Sequence, residues 1–152
     1  MSKAKRNNSR AHPSYSPQKI QKSLIVAKPC APLIPLSIFS RDIGVLETIV
    51  KYLREQGLTL KSISKALGRN SQVLWSSHAA AIRKSARPFS GFSSYIPLSE
   101  FLRPGLTCFE SIVLGLHEEY EFSFHKIAGI FGRDYQTVWT TYRRAQQKNG
   151  QR

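Results

Sequence analysis

The chain has 152 residues, with 23 Lys and Arg against 9 Asp and Glu, a formal charge of +14. With 41% apolar and 11% aromatic residues it can form one or at most two small folded domains, and it leaves no room for a large enzyme. Such a cation excess draws a folded chain to polyanions, nucleic acid first and an anionic membrane surface second.

Residues 1 to 32 carry seven basic residues, no acidic ones and many Ser, Asn and Pro. They read as a disordered basic arm. Ser16-Pro17-Gln18-Lys19 is similar to the Ser-Pro basic motifs of DNA-binding tails. A polar run to Ser23 stands where a secretory signal would place its apolar core. The stretch from Leu24 to Phe39 is broken by Lys28, Pro29, Pro32 and Pro35, so it cannot run as the roughly 20 apolar residues of a spanning helix. No membrane partner is expected, and the location expected is cytoplasmic, at the nucleoid. Cys30 and Cys108 are far apart and match no metal spacing, so inert thiols are expected, with no metal or cofactor.

The remainder is an internal duplication. Ile34-Pro35-Leu36-Ser37-Ile38-Phe39 recurs as Ile96-Pro97-Leu98-Ser99-Glu100-Phe101, and Gly68-Arg69-Asn70-Ser71-Gln72-Val73-Leu74-Trp75 recurs as Gly132-Arg133-Asp134-Tyr135-Gln136-Thr137-Val138-Trp139. The order and separation agree, which divides the chain into the arm (1 to 32), a first lobe (33 to 84), a linker (85 to 95) and a second lobe (96 to 148).

Each lobe predicts three helices. Leu46, Ile49, Val50 and Leu53 form one apolar stripe at i, i+3, i+4 and i+7, repeated by Phe109, Ile112, Val113 and Leu116. Thr107 stands three residues before Glu110, the spacing of a capping box, where the first copy has Gly44. Thr59 and Ser123 are the expected N-caps of a short second helix that ends at Gly68 or Gly132. Asn70 and Asp134 then cap a third helix running to about Lys84 and Lys148. Helix, glycine turn, helix is helix-turn-helix architecture. The predicted fold class is therefore all-α: two tandem three-helix lobes after a disordered basic arm.

The run from Ile127-Ala128 through Gly132 and Thr137-Val138 to Arg144-Ala145 resembles the promoter-reading helix-turn-helix of sigma factors, their region four. The first copy resembles it less closely, with Ser64 for the Ala, Val73-Leu74 for the Thr-Val and Ala80-Ala81 for the Arg-Ala. The resemblance covers the last 45 or so residues of each copy. It implies a major-groove recognition helix starting at Ser71 and at Tyr135. Carried over by position, the base-facing residues are Ser71, Gln72 and Ser76 in the first copy and Tyr135, Gln136 and Thr140 in the second. Gln can bond both edge atoms of adenine, and a helix N-terminus favours a phosphate. Nothing in the chain resembles the family's promoter-melting helices, so a complete sigma factor is not expected, and the Ile-Pro-Leu-Ser-x-Phe lead-in lies outside the family pattern.

Arg69 and Arg133, in the turns, are read as phosphate contacts, and Trp75 and Trp139 as side chains packed at the lobe edge, since a small lobe must recruit its large apolar residues. Residues 33 to 84 are net +5 and residues 96 to 148 net zero, so the first lobe should grip phosphates harder. The second lobe gathers Arg143, Arg144 and Lys148 at the end of its third helix, and Glu118, Glu119 and Glu121 at the end of its first. The four histidines have no acid, base or nucleophile placed beside them by any motif, so no catalysis is expected. The leading expectation is a monomer that binds double-stranded DNA as a transcription regulator or nucleoid protein. The alternative is a protein-interaction adaptor that contacts RNA polymerase or another DNA-bound factor. With a nearly extended linker joining independent lobes, the half-sites should form a direct repeat about 10 base pairs apart.

Overall fold

A computed structural model of the chain describes residues 32–151. The basic arm, with Cys30, therefore lies outside the described residues except for Pro32. Six helices and two short strands are present among them: β1 (Leu33–Pro35), α1 (Val45–Glu55), α2 (Leu60–Leu67), α3 (Ser71–Lys84), β2 (Tyr95–Pro97), α4 (Cys108–Glu118), α5 (Phe124–Phe131) and α6 (Tyr135–Gly150). A 3-10 turn follows each strand, at Leu36–Ile38 and at Leu98–Phe101. The fold is mostly helical with a small sheet, which qualifies the all-α expectation.

The helix boundaries follow local chemistry. Thr107 Oγ1 accepts from the Glu110 N–H while the Glu110 carboxylate accepts from the Thr107 N–H, a complete capping box at the start of α4. At α1 Gly44 has no side chain to offer, and only the reciprocal bond from its N–H to Glu47 Oε2 (3.0 Å) remains. Thr59 and Ser123 accept from the N–H groups of Ser62 and Lys126. Gly68 and Gly132 both end their helices in the left-handed region at φ +61°, where a side chain would cost energy.

The two halves do not form separate cores. β1 and β2 pair antiparallel, with Ile34 opposite Ile96, and one apolar cluster runs through both halves, from Ile34, Leu36, Phe39, Ile49, Leu53, Ile63 and Leu74 to Ile96, Leu98, Phe101, Ile112, Leu116, Ile127, Phe131 and Val138. Phe39 stacks on Phe101 (ring centroids 5.6 Å apart) and meets Phe131 (4.9 Å). Burial of the lead-ins is thus achieved across the halves. A strand of three residues, capped by proline, cannot stand alone, and among the described residues it finds its partner in its own duplicate.

This arrangement corrects the expectation of a nearly extended linker. Residues 85–95 are packed on α1: Lys51 Nζ donates to the Arg87 carbonyl (2.5 Å) and lies over the Phe89 ring (4.0 Å), Glu55 accepts from the Phe89 N–H, and Phe92 meets Tyr52 edge-on. Lys51 is fully buried and is also paired with Glu55 (3.2 Å), so its charge is matched on both sides. The direct-repeat spacing drawn from a free linker loses its basis.

Candidate nucleic-acid interface

The first turns of α3 and α6 are built alike. Asn70 Oδ1 accepts from the Gln72 N–H (2.7 Å), leaving Ser71 and Gln72 exposed on the first turn of α3. Asp134 accepts from both the N–H (2.7 Å) and the hydroxyl (2.9 Å) of Thr137, leaving Tyr135 and Gln136 exposed on the first turn of α6. The two N-termini differ in charge. The neutral Asn70 leaves the positive end of α3 uncompensated, whereas the Asp134 carboxylate, held below its ordinary range by Thr137, already compensates that of α6. A phosphate is therefore better received at α3.

Gln72, Trp75 and Ser76 fall at i, i+3 and i+4 on one exposed face of α3. Gln136, Trp139, Thr140 and Arg143 repeat the pattern on α6, with Thr140 half-buried. Ser76 Oγ donates back to the Gln72 carbonyl (3.1 Å), so reading a base with it requires a rotamer change. Tyr135 leans on His125 (4.6 Å) and Phe124 (6.0 Å), which fixes its ring at the start of α6. Arg143 lies over the Trp139 ring (5.5 Å), and Arg144 is exposed beside it.

The tryptophans overturn the packing expectation. Trp75 is 59% and Trp139 38% exposed. The core has no need of them because Phe39, Phe101 and Phe131 fill the seam between the halves. Of the six exposed large apolar side chains among the described residues, Val73, Trp75, Ile82, Tyr135 and Trp139 lie on α3 and α6, and Tyr120 alone lies elsewhere. Lys148 does not join the arginines as a free cation. It reaches back to Glu110 (2.8 Å), as Lys84 reaches Glu47 (2.7 Å) in the first half. The acidic end of α4 is also engaged, with Glu119 paired to Arg103 and Glu118 accepting from the Tyr142 hydroxyl.

Arg69 and Arg133 line a single groove of about 350 Å³, together with Gly44, Val45, Leu46, Thr107, Cys108 and Phe109. Burial pushes the Cys108 thiol up, while the Arg69 guanidinium beside it pulls the other way. In the sequence the two turn arginines belong to separate lobes. Their convergence depends on the seam, and the only sequence signal for it was the duplicated lead-in. Among the described residues no helix is long and apolar enough to cross a membrane, and no group of three or more His, Cys, Asp and Glu could hold a metal ion.

No protein-family model matches this chain, and neither a curated protein nor a solved structure is significantly similar to it.

Proposed function

We propose that the chain binds double-stranded DNA, with α3 and α6 as recognition helices of two helix-turn-helix lobes, in the manner of a transcription regulator or nucleoid protein. The observation that carries this reading is the concentration of exposed large apolar side chains on those two helices, at matched positions for Trp75 and Trp139. Single exposed apolar side chains are ordinary on a folded surface, whereas their grouping on two helices is what an interaction surface shows. The charge of +14 selects a polyanion as that partner, and the neighbouring Gln72 and Gln136 supply the donor and acceptor pair that reads adenine in the major groove. Apolar contact with thymine methyl groups suits the adjacent tryptophans. Arg69, Arg133, Arg143 and Arg144 supply phosphate contacts.

The adaptor reading, in which the second half contacts RNA polymerase, draws on that half's net charge of zero. Binding to duplex DNA across a salt series separates the two. If the arm and first half neutralise about 6 to 10 phosphates, affinity falls about a thousandfold or more between 50 and 200 mM salt. Gln72→Ala then costs about 1 to 3 kcal/mol on the preferred site, while Arg69→Ala weakens all sites about equally. Absent or salt-insensitive binding overturns the reading, and an intact site preference in Gln136→Ala alone moves the second half to the adaptor role.

A further inference from the structure

The seam between the halves is two-fold. In the pairing of β1 with β2, Leu33 faces Pro97, Ile34 faces Ile96 and Pro35 faces Tyr95. In the duplication Leu33 corresponds to Tyr95, Ile34 to Ile96 and Pro35 to Pro97, so exchanging the halves turns this register into itself. The flanking bonds exchange in the same way: the Leu36 N–H donates to the Ser94 carbonyl (3.0 Å) and the Leu98 N–H to the Pro32 carbonyl (2.7 Å). Phe39 stacks on its own counterpart Phe101. The groove that holds Arg69 and Arg133 is lined by further matched pairs, Gly44 with Thr107, Val45 with Cys108 and Leu46 with Phe109. A fold in which equivalent residues pair at the strands, stack at the aromatic rings and line one groove together has a local two-fold axis through all three.

We propose that this single chain is a covalent mimic of a symmetric dimer, and that it reads an inverted, imperfect repeat centred beneath the groove between Arg69 and Arg133. The inference rests on the DNA-binding reading above and adds the orientation of the target. α3 and α6 are equivalent helices, so the same axis relates them. A two-fold reader aligns its axis with a local dyad of the duplex and meets half-sites that run in opposite directions, whereas a direct repeat requires lobes related by translation. The tandem order of the copies along the chain does not decide this; the seam does. Because the halves are encoded separately they need not read the same bases. The first half offers Ser71, Val73 and Ser76 where the second offers Tyr135, Thr137 and Thr140, and Ala79-Ala80 stand where the second half has Arg143-Arg144. The half-sites therefore differ, and the repeat is imperfect. The shared core also holds α3 and α6 at one separation, so one spacing is accepted.

The test is selection of bound sequences from random duplex DNA by the full chain, followed by the same selection with Gln72→Ala and with Gln136→Ala, both exposed positions with no part in the core. The expected result is an inverted pair of half-sites at one spacing. Insertion of 5 base pairs at its centre should lower affinity about tenfold or more, because it turns one half-site to the opposite face of the duplex. The two substitutions should relax bases at mirror-related places about the centre. A direct repeat, a lone half-site, tolerance of the insertion, or binding with no enriched sequence overturns the inference and leaves DNA binding in place. Absence of duplex binding overturns the functional reading itself.

Discussion

Lys84 and Lys148 close the same circuit in the two halves, each tying the end of a third helix to the glutamate in the first turn of a first helix. Burial pushes the Glu110 carboxyl up, but the hydrogen bond and charge of Lys148 and the Thr107 N–H outweigh it, and the net result lies below the ordinary glutamate value. Glu47 behaves alike, with Lys84 and the Gly44 N–H as its partners. A carboxyl depressed in the folded state contributes stability that is present above the unfolded value and lost as pH falls through the folded one. Melting temperature should therefore drop as pH falls below about 4.3, and Glu110→Gln, which cannot titrate, should show a smaller drop over the same range. Thermal unfolding between pH 6 and 3 checks this, and equal pH slopes for the two proteins would refute it. The lysine spacing was visible in the sequence, but its partner was not. Lys148 and Glu110 lie 38 residues apart, and only the packing of α6 on α4 brings them together.

At the scale of the element, the caps were legible because each is a local affair. Thr59, Asn70, Thr107, Ser123 and Asp134 bond amides two or three residues along the chain, so residue type and spacing suffice. The two helix-ending glycines look identical on the same local grounds, yet their surroundings differ. A side chain at Gly68 would meet open space, whereas a Cβ at Gly132 would come within 2.8 Å of the Arg41 backbone nitrogen. Gly68→Ala should thus cost only the left-handed backbone penalty of about 1 to 2 kcal/mol. Gly132→Ala should cost clearly more, since backbone from the other half must shift. Urea unfolding of the two variants measures the difference, and equal costs would mean that the contact with Arg41 carries no weight. The tryptophans illustrate the converse failure. Their place next to a core position on each third helix was readable, but whether they were needed inside depended on how much aromatic surface the other half supplied.

For the whole molecule the shared cluster implies a single cooperative unit. Phe39 belongs to the first half in sequence but lies against Phe101 and Phe131 of the second. Phe39→Ala should cost about 3 to 5 kcal/mol, within the range for deleting a buried aromatic ring, and should lower hydrogen-exchange protection in α1 and α4 by similar amounts. Loss of protection confined to α1 would instead reveal two independent folding units. The same cluster leaves a 33 to 84 fragment without its seam, with Ile34, Leu36 and Phe39 uncovered.

The sequence by itself determined the duplication, the six helices, their caps and the excess of positive charge, because periodicity, hydrogen-bond spacing and net charge are properties of short stretches or of simple sums. It also placed the candidate reading residues on the first two turns of the third helices. Only the tertiary structure decided that the copies share one core, that their lead-ins pair about a two-fold seam, that Arg69 and Arg133 line one groove and that Trp75 and Trp139 stay outside. Those outcomes follow from which surfaces find each other between segments some 60 residues apart, and no local pattern records that choice. A tandem repeat is equally compatible with two lobes on a tether and with a folded-back pair. The pair prevails here because two short apolar lead-ins, each too small to be buried in its own half, cover one another.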